Sequence, residues 1–390
     1  MERMTFPRHG ASIRDMLGHE IGIENEEKKM SVRTLLQIPD GVQCFYGKAA
    51  YLRRAIEREV ADVFAGWSYE EILLPLFDYN EVFERGGGPA KTDRIYRFVG
   101  RDGEVMALRP DFTALVAKVA ASRMQARELP IRLFYSGEVL RYQPPEAGRQ
   151  EDLFQIGLEH IGDGLESDVE ILLIALEALA RLGLSEASLT IGHAGFILGI
   201  LEGEGLRGEQ LQLVMDAMRS RDREALRSVL GGEPPSVLLE AMKLFGGMEV
   251  LERAEKCSPE PRSRMALERL RAVAVALEDL GQAQQIQFDL SEILGFDYYT
   301  GMVFEIHMPG AGVALGGGGR YDSLMGRFGA ERPAIGFSIS LDRLAHVLSS
   351  AEAEWMRIEP PTMVNKQKGP SGTMSRAIDL RRRGRKVRIG

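Results

Sequence analysis

Two stretches of strand-like alternation, IRLFYSGEVLRY (131–142) and DLFQIGLEHIG (152–162), flank PPEAGRQ (144–150), a segment rich in Pro and Gly. The pattern predicts a long antiparallel hairpin, and it constrains the rest of the chain because such a hairpin needs a wider sheet to bury one face. Side chains two apart on a strand point the same way. Gln155, Gly157 and Glu159 therefore share one face, while Phe154, Ile156 and Leu158 share the other. An amide, a bare glycine and a carboxylate do not suit a core. They suit the floor of a pocket, with Gly157 leaving room, although a solvent-facing strand would read the same way. Arg141, at the end of the first strand, could grip a carboxylate or phosphate bidentately.

The sequence around the hairpin follows a plan. From Leu52, apolar residues recur at Ile56, Val60 and Phe64, the stripe of an amphipathic helix that stops at Gly66. The run from Ile72 to Phe77 reads as a strand holding Pro75, placed at an edge or interface because proline has no amide to donate. Ser167 with Glu170 reads as a capping box opening a helix to about Leu182, with Gly183 as its stop. Residues 195–280 are helical in pattern, with breaks near 231–235 and 258–261. Alternation returns at 285–293 and 303–307, and a glycine run, 316–319, precedes another strand-like run at 334–340. Strands, a helical block and strands again predict an α+β fold: an antiparallel sheet flanked by helices, with a helical insertion at about 195–280. Residues 1–35 read as a loose extension, 36–350 as the core, and 351–390 as a short basic remainder.

Composition narrows the function. The 390 residues are 44% hydrophobic and 27% charged, as in soluble globular proteins. Runs such as Ile171 to Leu176 are far too short to span a bilayer, and the amino terminus lacks a secretion signal, so a cytoplasmic protein is expected. Cys44 and Cys257 read as free thiols, and the six scattered histidines offer no metal spacing. The net charge of −8 argues against a nucleic-acid binder, yet Lys366 to Gly390 holds nine Lys or Arg and one acid, Asp379. That tail could meet RNA, a phosphate-rich ligand or an acidic partner, or be a solvated helix end. Asp111 sits in an X-Pro-Asp turn that alone accounts for it. The glycine run is neither a phosphate-binding loop nor a dinucleotide fingerprint, although four glycines would let a ligand approach the backbone.

Together these segments resemble the class II aminoacyl-tRNA synthetases. The helix followed by Pro75 looks like their motif 1, a dimer interface; residues 140–143, the long loop and 153–155 look like motif 2; residues 336–344, with Arg343, look like motif 3. Residues 108–113, 296–300 and 318–322 are similar to signatures of histidyl-tRNA synthetase, and the likeness covers roughly 36–350. The resemblance implies an amino-acid pocket at Asp111, Thr113, Arg141, Gln155, Glu159, Tyr298, Tyr299 and Tyr321. Its carboxylates would meet an ammonium and an imidazole, and its tyrosines would wall the ring. Successive strand residues face opposite ways, so Tyr298 and Tyr299 both line it only if the chain bends, which Gly295 permits.

The departures point away from catalysis. Adenylation places negative charge on a phosphate and requires cations aimed there. Leu294 stands where the ligases carry an arginine, Gln143 where they carry a glutamate, and Glu151 where a second loop arginine is expected after Arg149; Asp342 with Arg343 is a milder change. Losing one such group costs on the order of 100–1,000-fold in rate. An anticodon-binding domain is also missing, with residues 377–384 looking like a remnant of its first helix. A kept pocket with lost chemistry resembles the regulatory subunits of ATP phosphoribosyltransferase, and residues 219–226 and 244–251 look like that family's helical block. The resemblance implies a non-catalytic protein with no catalytic residues, metal or cofactor of its own. It implies partnership with a short catalytic subunit in histidine biosynthesis, a homodimer within a hetero-oligomer, L-histidine as effector and no tRNA. A divergent histidyl-tRNA synthetase and a stand-alone histidine-sensing or tRNA-binding paralogue are the alternatives.

Overall fold

The stripe at Leu52, Ile56, Val60 and Phe64 is buried along one side of a helix, Gly47–Gly66. It meets the face of the predicted hairpin that carries Ile156 and Leu158, and Phe64 packs edge-on against Phe134 and Phe337 with centroids 6.0 and 5.7 Å apart. The computed structural model describes residues 36–87, 94–142, 150–257, 260–291, 298–350, 362–365 and 370–390. The chain divides into two units, Met1–Asp40 and Gly41–Gly390, and every element named below belongs to the second. The extension read at 1–35 lies outside the described residues.

Nine strands form the main sheet in the spatial order β1 (Glu70–Glu71), β5 (Ile131–Leu140), β6 (Asp152–Ile161), β12 (Ala334–Ser340), β11 (Gly316–Arg320), β10 (Met302–His307), β7 (Ser188–His193), β9 (Ile286–Asp289) and β8 (Phe245–Gly246). The pairs β1/β5 and β7/β9 are parallel and the rest antiparallel, so the sheet is mixed rather than wholly antiparallel. A smaller sheet joins β2 (Phe77–Tyr79), β4 (Val105–Leu108) and β3 (Arg97–Val99). Near the carboxyl end, β13 (Thr362–Val364) and β14 (Val387–Ile389) pair in parallel around a helix, Pro370–Arg382. Six helices occupy the described residues between Ala194 and Asp279, where β8 forms one edge of the main sheet from within that block.

Two expectations change. The run from Ile72 to Phe77 is not one strand: Ile72 donates to the Phe134 carbonyl at 2.8 Å, and the chain then leaves the edge. The carbonyls of Leu74 and Pro75 instead accept from Arg109 Nη1 at 2.9 and 3.3 Å. Proline cannot continue the ladder, and a buried guanidinium takes the freed acceptors. The capping box also fails. The helix begins at Leu165, so Ser167 lies in its first turn and donates to the Gly164 carbonyl at 2.8 Å. Glu170 is drawn instead to Arg132, at 3.0 and 2.9 Å, and to the Tyr69 hydroxyl.

The glycine run is a strand, not a ligand loop. A Cβ on Gly318 would stand 2.0 Å from the Gly336 carbonyl oxygen, and one on Gly316 2.3 Å from that of Ser338. The glycines let β11 lie unusually close to β12. Gly318→Ala is expected to destabilise the protein by about 1–3 kcal/mol or more, as overpacking does; chemical denaturation would measure it, and an unchanged midpoint would refute the close-approach account.

Candidate functional site

The hairpin register sets the floor of the site. Tyr135 pairs with Gly157 and Leu133 with Glu159 across β5 and β6, while Ser338 and Gly336 of β12 oppose Gly157 and Glu159 on the other side. All eight residues proposed from the sequence line one cavity: Asp111, Thr113, Arg141, Gln155, Glu159, Tyr298, Tyr299 and Tyr321. Asp111 and Thr113 arrive at the start of the helix Thr113–Arg123, where Asp111 Oδ1 accepts from the Ala114 amide at 3.3 Å. Arg141 donates from Nε to the Pro110 carbonyl at 2.7 Å. Both tyrosines of the 298–299 pair reach the cavity because they lie in a turn ahead of β10, where strand alternation does not apply. Gly295, read as the bend, lies outside the described residues.

Tyr135 was not read from the sequence, although its strand position opposite Gly157 carries the signal. Its ring stacks on Phe112 at 4.2 Å. It also corrects the reading of Gly157: a Cβ there would meet the Phe337 carbonyl oxygen at 2.5 Å and the Tyr135 hydroxyl at 2.7 Å, so the glycine makes room for the neighbouring strand and a wall residue rather than for a ligand. Gly336 does the same for Glu159, whose Oε2 would lie 1.7 Å from a Cβ at that position.

Glu159 is the electrostatic centre. It is buried, its Oε1 accepts from Thr113 Oγ1 at 2.8 Å and Tyr135 OH at 3.3 Å, and its Oε2 accepts from Tyr321 OH. Loss of water pushes its pKa up to about 7, against the three hydroxyl donors, and Asp111 adds to the rise. Burial likewise pushes the Tyr135, Tyr298, Tyr299 and Tyr321 hydroxyls above their ordinary range. Donors, acceptors and two carboxylates around aromatic walls suit a small cationic or amphoteric ring compound. The cavity measures about 40 Å³, room for about three water molecules.

The positions that separate a ligase from its relatives are partly visible. Glu151 accepts from the Tyr96 hydroxyl, its amide donates to the Gly41 carbonyl at 2.7 Å, and its carbonyl accepts from the Arg141 amide at 2.9 Å. Arg343 donates to the Ala314 carbonyl, and Asp342 accepts from Arg53 and from the Phe154 amide. Leu294, Gln143 and Arg149 lie outside the described residues. Among the described residues no group of three His, Cys, Asp or Glu could hold a metal ion, and no helix is long and apolar enough to cross a membrane.

The sheet, the motif order and this pocket define a class II synthetase-like domain of the histidyl type, and a histidyl-tRNA synthetase family model matches residues 41–344. The particular family is narrower. The chain is 38% identical to an ATP phosphoribosyltransferase regulatory subunit from Moorella thermoacetica, over 79% of this chain and 81% of that protein. It is 35% identical to one from Syntrophotalea carbinolica, over 87% and 81%. A Bacillus halodurans structure described as an ATP phosphoribosyltransferase regulatory subunit/histidyl-tRNA synthetase superposes with a TM-score of 0.81 at 26% identity, covering 91% of this chain and 92% of that one. The chain belongs to the ATP phosphoribosyltransferase regulatory subunit family.

The buried carboxyl has a pH signature. Its pKa is higher folded than unfolded, so its contribution to stability is full below about 4.5 and is lost as pH rises through about 7. That rise corresponds to about 3 kcal/mol. Relative to the parent protein, Glu159→Gln is expected to gain about that much stability between pH 4.5 and 8, read from unfolding curves at several pH values. A constant difference across that range would mean that Glu159 titrates normally.

Proposed function

We propose that this chain is the non-catalytic partner of a short ATP phosphoribosyltransferase subunit in the cytoplasm, and that its pocket takes L-histidine as effector. The observation that carries the reading is the pairing of an intact pocket with an acid, Glu151, whose carbonyl is bonded to the amide of the lining residue Arg141. Asp111, Glu159 and the tyrosines offer a histidine what it needs, a carboxylate for the ammonium and acceptor and donor groups for the imidazole. Glu151, held by Tyr96, occupies the loop position where adenylation would need a cation. Arg343 is engaged by the Ala314 carbonyl.

Regulation then follows from linkage. A ligand shifts a complex only if it binds one state better, and typical couplings amount to about 1–3 kcal/mol. Contacts to Asp111, Glu159 and the tyrosines that are better made in one state of the complex would supply that difference. Histidine would thus bias the complex against turnover, while the unliganded chain supports it. The ligase reading is not favoured, and the acidic body gives no basis for tRNA as a partner.

Self-association belongs to the same proposal. Leu73 is 83% and Val99 71% exposed, and Phe77, Tyr79 and Phe98 of the small sheet are also exposed, an apolar surface that fits a second copy of the chain.

The chain alone should give no histidine-dependent ATP–pyrophosphate exchange. Mixed with the short catalytic subunit it should raise that enzyme's rate, and histidine should lower it again. Glu159→Ala should abolish the histidine response while leaving co-purification intact. Measurable exchange, or a catalytic rate indifferent to both mixing and histidine, would overturn the proposal. Separately, Leu73→Asp with Phe77→Asp should convert a dimer to a monomer in sedimentation; an unaltered sedimentation coefficient would remove this surface from the interface.

A further inference from the structure

Arg320 and Tyr321 are consecutive, and strand alternation sends them to opposite faces of the sheet. Tyr321 turns to the pocket and donates to Glu159. Arg320 turns to the back, where it is buried, and its Nε and Nη2 donate to Asp168 Oδ1 at 2.9 and 2.6 Å. Asp168 is fully buried on the helix Leu165–Arg181. Its other oxygen accepts from Arg269 Nε at 2.6 Å, and Arg269 Nη2 reaches the Gly164 carbonyl at 2.6 Å. Arg269 belongs to the helix Pro261–Asp279 of the inserted block.

The same arginine braces the second tyrosine-bearing segment. The Arg320 carbonyl accepts from the Thr300 amide at 2.8 Å, and a Cβ on Gly301 would lie 2.9 Å from the Arg320 stem. Arg320 Nη1 and the Ala334 amide both donate to Asp322 Oδ1 at 3.1 Å, and the Asp322 amide donates to Thr300 Oγ1 at 2.9 Å. Arg320, through its carbonyl, its stem and the guanidinium contact to Asp322, thus ties together β11, β12 and the turn that carries Tyr298 and Tyr299.

We propose that Asp168 and Arg269 are positioning residues for the pocket: acting through Arg320, they set Tyr321 and the Thr300 turn, and they make the helical insertion part of the effector response. The inference rests on the reading of the pocket as the histidine site. The chemistry of the cluster fits a junction better than a simple staple. Asp168 and Arg320 are locked in the interior, but the Arg269 side chain keeps 32% of its surface in water. Withdrawing Arg269 leaves the Asp168–Arg320 pair neutralised, so the fold can survive while the geometry of the pair relaxes. Removing Asp168 or Arg320 instead strands a buried charge, which is why neither serves as a probe.

The test uses the full chain with Arg269→Met, Tyr321→Phe and the double variant. L-histidine affinity is measured by calorimetry and the unfolding temperature is measured alongside. Arg269→Met should weaken histidine about fivefold or more, and Arg269→Lys should recover part of the loss. In the Tyr321→Phe background the same change should weaken it by a smaller factor than in the parent, because the route through the Tyr321 hydroxyl is already cut and only that through the Thr300 turn is left. A fall in unfolding temperature with unchanged affinity, or effects that simply add, would overturn the inference. Amide exchange on the ligand-free protein separates it from the reading beneath it. If the parent chain takes up no histidine, the effector assignment fails, yet Arg269→Met must still speed exchange at the Thr300 and Tyr321 amides. Unchanged protection at both would end the positioning role, whatever the pocket binds.

Discussion

A carboxyl group stripped of water sits between two strands, and three hydroxyls hold it there. Glu159 can occupy that place only because Gly336 beside it has no side chain and because Tyr135, Thr113 and Tyr321 each direct an O–H toward it. These donors come from the first strand of the hairpin, the start of the helix Thr113–Arg123 and the end of the glycine strand. Satisfying one buried acid therefore fixes the mutual placement of segments distant in sequence. The pocket is what remains after that requirement is met.

On the reading proposed above, what separates this chain from a ligase lies in charge rather than in fold. Both share the sheet, and on that reading both would use its floor to recognise a small amphoteric molecule. Transition-state stabilisation by preorganised cations is lost when a single loop position becomes acidic, because the field at a developing oxyanion changes sign locally. Glu151 is not a passive loss. Its backbone amide holds the Gly41 carbonyl and its carboxylate accepts from the Tyr96 hydroxyl, so the acid at this loop position has a structural task of its own.

Much of this was legible in residue order. The hairpin and the helix stripe at Leu52 to Phe64 appear where their period predicted them, because that signal reflects burial on one face, and the eight residues implied by the family resemblance line one cavity. What escaped was decided by long-range partners. Arg109 took the carbonyls of Leu74 and Pro75 and broke a run that looked like one strand. Arg132 and Tyr69 claimed Glu170 from its supposed cap. Gly157 read as space for a ligand when the space belongs to Tyr135 and the neighbouring strand. In each case the competing side chain lies far away in the sequence, beyond the reach of any local pattern.

The order of the strands has a consequence for how the protein comes into being. Gly157 of β6 faces Ser338 of β12, and the strand between β12 and β10 is the glycine strand at 316–320. During synthesis the floor of the pocket emerges long before its far wall, with the whole helical block still to be made. Such distant pairings are slow to form because a long loop must close first. Until then the acid face of the hairpin and the apolar back of β6 wait without their partner strand, open to association with other chains. The pocket is thus a property of the nearly finished chain, and a ribosome stalled within the insertion would release a protein with a hairpin and no receptor.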